Sequence, residues 1–313
     1  GRDGEAGLTS AAWPIALMEQ ASGKILVMDP AADWNDDGSI LWSWSPREAN
    51  GPYDEVSGWG NCTDVRLKDS RHYGGEVFVV CASLGYAALV RYPNAEEVLW
   101  SQNVGGNPHA VELLPDGNVA VAASHGNWVR VYAAVLGGCS DVCAEFRLPG
   151  AHGVVWDEKY EWLWAVGDEV LTALKVTGTP ESPQLEEVAE RRISLPTLYG
   201  HDLYPVYGDN DRLWVTTNSE MYIYVKSAHR FENVPAAAPT EYRQYVKSLV
   251  SFGPGRRMTV VPDYFKNPAG PCAARNNWTT DTVDFYPEHG SKTRQGAAVY
   301  KARVWHVDYD GRR

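Results

Sequence analysis

Three histidines head three similar short apolar runs: Pro108-His109-Ala110-Val111, Ala151-His152-Gly153-Val154 and Gly200-His201-Asp202-Leu203. A fourth, His125, follows the apolar run Val119–Ala123. Imidazoles gathered at one place support two chemistries. One is a single divalent metal ion, with His109, His152 and His201 as ligands, since imidazole suits Zn, Mn or Fe. The other is proton transfer near neutral pH, with His109, His125, His152 and His201 as candidate acids or bases. Arg66 and Lys247 are the cations placed to hold an anionic substrate. Asp64, Tyr86, Tyr199 and Tyr264 are further candidate contacts, the tyrosines as phenolic acids or as platforms for sugar rings. A histidine at a strand start also caps backbone and packs its sheet, which is the structural reading of any one of them. Three in equivalent places favour a shared site. His72, His229, His289 and His306 read as surface or sheet residues.

The elements that must position these residues come from a repeat. Each histidine run leads into a polar turn, a second apolar strand, another turn and a third strand. Thr63, His109, His152, His201 and Lys247 begin successive copies, at intervals of 46, 43, 49 and 46 residues. A period near 45 with about four short strands per unit is the mark of a β-propeller. The expected fold is therefore all-β: one propeller domain over residues 1–313, built of four-stranded antiparallel blades. Six units are counted, and the length of 252–300 leaves room for a seventh. The N-terminal segment supplies a hairpin, Ile15–Gln20 with Lys24–Asp29, and an outer strand, Ile40–Trp44, but no innermost strand. Val299–Tyr309 is expected to supply it and close the ring, which protects the sheet edges. Pro180–Arg192 is the best helix candidate, although a loop with an outer strand fits it better. In such a ring the start of each inner strand and the end of the next lie at one mouth of the channel. Glu19, Gln20, Ser83 to Tyr86, Ser124, His125, Gly167, Asp168, Asn218, Asp263 and Tyr264 join the histidines there.

Composition bounds the partners. The 313 residues carry a net charge of −12, which argues against duplex nucleic acid or an anionic membrane as main partner. No apolar run approaches a membrane span. Thirteen Trp and 17 Tyr against 6 Phe suit both blade packing and sugar stacking, with packing the simpler account. Of five Cys, Cys139 and Cys143 could close a small disulfide loop and Cys62 and Cys81, on neighbouring strands, could pair. Asn61-Cys62-Thr63 and Asn277-Trp278-Thr279 fit the N-glycosylation pattern. Together these favour a secreted, extracellular protein; a closed ring needs no partner, so a monomer is expected. There is no nucleophile elbow, phosphate-binding loop or dinucleotide fingerprint. Asp33 to Gly38 resembles half a calcium loop but lacks the bidentate Glu, so it reads as a turn.

One further signal is a resemblance. Glu19-Gln20-Ala21-Ser22-Gly23-Lys24-Ile25-Leu26-Val27-Met28-Asp29, Leu41-Trp42-Ser43-Trp44-Ser45-Pro46 and His109-Ala110-Val111-Glu112-Leu113-Leu114-Pro115-Asp116-Gly117-Asn118, with the His152 and His201 runs, resemble a family of secreted microbial propellers. That family is associated with the fungal L-rhamnose-α-1,4-D-glucuronate lyase acting on gum arabic. The resemblance spans about residues 15–226; the C-terminal third, with its loop 263–280, has no matching motif.

The resemblance implies β-elimination on an acidic oligo- or polysaccharide. A base removes the C5 proton of a glucuronate, and the C4–O bond to rhamnose breaks. The carboxylate must be neutralised and the departing oxygen protonated. Two other readings compete. A glycoside hydrolase needs two carboxylates at the mouth, with Asp64, Asp168, Asp202 and Asp263 as candidates. A non-catalytic carbohydrate-binding propeller would repeat its sites more faithfully than Thr, His, His, His and Lys.

Overall fold

The computed structural model describes residues 13–47, 54–95 and 97–311. Within them, alternating apolar runs separated by tight turns form six four-stranded antiparallel sheets arranged as the blades of one propeller. The inner strands of blades two to six are Cys62–Ser70, Pro108–Leu113, Gly153–Asp157, Gly200–Pro205 and Ser248–Ser251. Blade one is closed across the termini. Val299–Val304 is its inner strand and pairs with Ile15–Glu19, which pairs in turn with Lys24–Met28 and then Ile40–Trp44. The expected ring closure is therefore present, and the count is six rather than seven.

Strand periodicity decides what each blade buries. Phe78, Val80 and Ala82 face the cluster shared with blade one, while Val77, Val79 and Cys81 face the cluster shared with blade three. Both faces are apolar because both are covered, so these strands read as continuous hydrophobic runs. Trp34, Trp44, Trp100 and Trp164 are among the largest fully buried side chains, which supports the packing account of the tryptophans.

One expectation needs correction. No disulfide forms: all five cysteines are free. Cys62 and Cys81 do lie on paired strands, but Cys62 faces blade one and Cys81 faces blade three, on opposite faces of their sheet. At Pro180–Arg192 the reading as a loop with an outer strand holds. Ser182–Ser194 is a long outer strand against Val170–Thr179. Among the described residues, no helix is long and apolar enough to cross a membrane.

Candidate active site

Each inner strand of blades two to six is entered through a residue in the left-handed region, two positions before the mouth residue. These are Asn61 (φ 54°), Asn107 (φ 61°), Gly150 (φ 63°), Tyr199 (φ 67°) and Tyr245 (φ 56°), ahead of Thr63, His109, His152, His201 and Lys247. Asn and Gly tolerate this conformation; a tyrosine there is strained and must be held by its surroundings. Gly150 is required for a second reason, since a Cβ would stand 2.0 Å from the Asp168 carboxylate.

A repeated hydrogen bond identifies the sixth mouth residue. At three positions the side chain of the residue after the mouth residue accepts from the backbone of another blade, two residues past that blade's own mouth position. Asp64 accepts from Val111 N–H, Asp202 from Leu249 N–H and Ser248 Oγ from Ala302 N–H. The last pair makes Tyr300 the counterpart of Thr63, His109, His152, His201 and Lys247. Sequence reading placed the closing strand correctly but missed this residue, because the strand lies outside the sequential repeat.

The mouth opens into a cavity of about 490 Å³. His109, His125, His152, Lys247 and Tyr300 line it, with Gln20, Asn61, Ser83, Asn107 and Asn218 around them. The His109 and His152 rings stack at 4.4 Å, nearly parallel, and His201 meets His152 edge-on at 5.2 Å. Tyr300 Oη lies 3.0 Å from His109 Nδ1. Lys247 Nζ stands 6.0 Å from the centre of the Tyr300 ring. Lys301 Nζ, just beneath, donates to the His109 carbonyl at 2.6 Å. An aromatic wall from the unmatched C-terminal third completes one side: Tyr245 stacks on Phe265, and Trp278 Nε1 donates to Gln20. Among the described residues, no Asp or Glu lines the cavity.

Burial and positive neighbours set the protonation states. Burial holds the His109 and His201 imidazoles well below their usual range, helped by the neighbouring histidines and by Lys247 and Lys301. Burial likewise lowers His152 to about 3, against the opposing hydrogen bond that its Nδ1–H donates to the Gly150 carbonyl. These three rings are neutral at pH 7. Burial, then the charge of Lys301, lowers Lys247 to about 8. Burial, with the charges of Asp202 and Asp64, pushes the Tyr300 phenol up, so it keeps its proton.

The remaining expected residues fall elsewhere. Arg66 and Asp64 lie deeper in the channel, buried and paired. Arg66 donates to Glu112 at 2.8 Å, and Asp64 accepts from Arg303 at 2.9 Å. Neither reaches a substrate at the mouth. Tyr86 is buried inside blade two, and its hydroxyl is committed to Asp54. Tyr199 and Tyr264 are half exposed and do not line the cavity. His201 sits behind His152, with Nε2 bonded to Asn218. Thr63 is buried and donates to the Pro108 carbonyl. Both candidate glycosylation asparagines, Asn61 and Asn277, line the cavity, where a glycan would fill the entrance.

The histidines do not fit the metal centre expected of them. Among the described residues, no group of three His, Cys, Asp or Glu is arranged to hold an ion. His109 and His152 lie face to face, Nδ1 of each already has a partner, and two lysines put positive charge where the ion would sit. The same features suit an anion.

The fold and site thus define a six-bladed propeller with a cationic, aromatic-walled mouth. The chain belongs to DUF6528, a family of unknown function whose profile matches residues 9–239. No curated protein matches the sequence. Solved structures match in fold. A protein of unknown function from Bacteroides caccae has a TM-score of 0.54 at 14% identity, over 93% of this chain and 94% of that one. A catalytically inactive virginiamycin B lyase from Staphylococcus aureus, with quinupristin, has a TM-score of 0.52 at 11% identity, over 91% and 86%. A functionally unknown protein from Desulfotomaculum acetoxidans gives 0.51 at 10%, over 95% and 100%. Distant propeller neighbours thus include a lyase, and none of these matches points to the rhamnose–glucuronate lyases.

Proposed function

We propose that the protein is a carbon–oxygen lyase that cleaves acidic glycans by β-elimination, at a rhamnose–glucuronate linkage of plant gums, as a secreted monomer. One observation carries this reading: the cavity unites an amine titrating near neutrality, imidazole N–H donors and a protonated phenol, with no carboxylate among its lining residues. That set suits proton abstraction beside a carboxylate. The free N–H of His109 and the Asn218 amide donate to the uronate carboxylate, and Lys301 adds positive charge from beneath, so the enolate-like charge is tolerated. Lys247, as the amine, takes the C5 hydrogen as a proton. The released electron pair forms the C4–C5 double bond, the C4–O bond breaks, and the departing oxygen takes a proton from the Tyr300–His109 pair. Trp278 and Tyr245 offer faces for sugar rings.

The hydrolase alternative loses its residues. Asp64 and Asp202 are clamped by Arg303, Asp263 is buried against Cys272 N–H, Thr280 and Lys266, and Asp168 does not line the cavity. The test is cleavage of a rhamnosyl-glucuronide in water labelled with heavy oxygen. Elimination gives a product one water lighter than hydrolysis would, free of label. Incorporation of label at the broken linkage overturns the proposal.

A further inference from the structure

Lys247 differs from the other charged groups of the channel in having no partner for its charge. Arg303, Arg66 and Lys68 each meet a carboxylate within 3.1 Å. Lys301 is bonded to the His109 carbonyl and lies in the field of Asp64 and Asp202. Lys247 Nζ meets only the face of Tyr300, with no hydrogen-bond acceptor among the described residues. It faces a cavity lined by His109, His125, Asn107 and Asn218, which have N–H groups to donate to an anion, while His152 spends its one N–H on the Gly150 carbonyl. A partly desolvated amine next to a second cation is the arrangement that makes lysine a nucleophile toward carbonyl compounds. Its lowered proton affinity supplies a neutral fraction at ordinary pH.

We infer that Lys247 captures 2-oxo acids covalently, as an imine, with the ligand's carboxylate held by the histidine and asparagine N–H groups. The amine nitrogen attacks the ketone carbon and forms the N–C bond. The C–O bond then breaks, and the oxygen leaves as water with the two hydrogens of the amine. Tyr300, whose ring faces the nitrogen at 6.0 Å and which keeps its proton, protonates the departing hydroxyl and recovers that proton from the nitrogen. The volume of about 490 Å³ accommodates a ligand well beyond pyruvate in size. Imine formation needs only the free amine and the N–H donors, so it holds or fails independently of the elimination.

The experiment is reductive trapping of the intact protein with pyruvate and cyanoborohydride, followed by peptide mapping. Acetone serves as the ketone without a carboxylate. The exposed Lys159 and Lys175 serve as references within the same molecule. Labelling of Lys247 is expected to exceed that of the references by about tenfold or more with pyruvate, as a positioned amine should. That enrichment should shrink with acetone and vanish from the intact-mass profile of Lys247→Arg. Labelling spread across the exposed lysines, or equal labelling of wild type and Lys247→Arg, overturns covalent capture. Equal enrichment with acetone overturns the assignment to 2-oxo acids. The internal references make the wild-type measurement decisive by itself, should the variant fold poorly.

Discussion

The mouth of the channel and the layer beneath it are built from the same inner strands, one or two turns of the pleat apart, yet they treat charge in opposite ways. In the lower layer Arg303, Arg66 and Lys68 each meet a carboxylate. Arg303 reaches Asp202 through two parallel bonds of 2.9 Å and Asp64 through a third. Glu112 takes both Arg66 and Lys68, and Lys68 reaches Tyr309. At the mouth, Lys247 has no counter-ion among the described residues and three imidazoles are kept neutral by burial. Paired charge in a dry layer specifies how six blades meet. Unpaired charge around a cavity is a standing cost to folding that a bound anion offsets. The opposite end of the channel sharpens the contrast. Its cavity is larger, about 830 Å³, but Lys68 and Arg71 share it with Asp69, Glu158, Glu161 and Asp310. Size alone therefore does not mark the site; the sign of the charge does.

That contrast breaks most severely at Arg303. Arg303→Met leaves two buried carboxylates facing each other and should cost about 3–5 kcal/mol, the range for stripping one partner from a buried ion pair. Chemical denaturation measures it, and a loss under about 1 kcal/mol would show that the layer is not structural. Lys247→Met should do the reverse, leaving thermal stability equal or higher while elimination falls about 10²–10⁴-fold. Lys247→Arg should be as inactive, since it restores the charge but not a titratable amine; rescue by Arg would reduce Lys247 to an anion-binding role. Tyr300→Phe should lower kcat about 10²-fold with little change in KM. Trp278→Ala should mainly raise KM, by several-fold, as loss of a sugar platform does.

The two layers should also part in acid. The mouth imidazoles bind fewer protons folded than unfolded. Stability should therefore begin to fall as pH drops below their ordinary value of 6.5 and keep falling towards about 3 for His152. Asp64, Asp202 and Glu112 have lowered affinities, so their contribution is present above the ordinary values of 3.8 and 4.5 and lost below them. His152→Asn should flatten the stability profile between about pH 6.5 and 4.5 and leave the steeper loss below. An unchanged profile would show that His152 is not held neutral. For activity, kcat/KM of the wild type should rise with pH to a plateau beyond about 8, following the Lys247 amine.

The ring was readable from spacing because each blade repeats the same turn and apolar strand, and the mouth histidines followed from that ring. Arg66 and Asp64 were misplaced for a reason that spacing hides. Both sit on an inner strand, as inferred, but a residue one to three positions further in drops below the mouth and finds partners there. Tyr300, Phe265 and Trp278 were not legible as site residues, because the closing strand and the long loop of blade six have no counterpart in the repeat. The cysteine pairing failed on strand parity: Cys62 pairs with Ala82, and Cys81, one residue away, points to the opposite side of the sheet.

If chemistry happens at the unpaired mouth, Lys247 is indispensable to it. The most direct test is the ultraviolet absorbance of the unsaturated uronate, followed with wild type and Lys247→Met side by side on a panel of uronate-containing gums. The expected result is a steady rise with wild type on at least one gum and a flat trace with the variant at equal folded protein. A flat trace with both on every gum, or a rise that survives in Lys247→Met, would contradict a catalytic mouth.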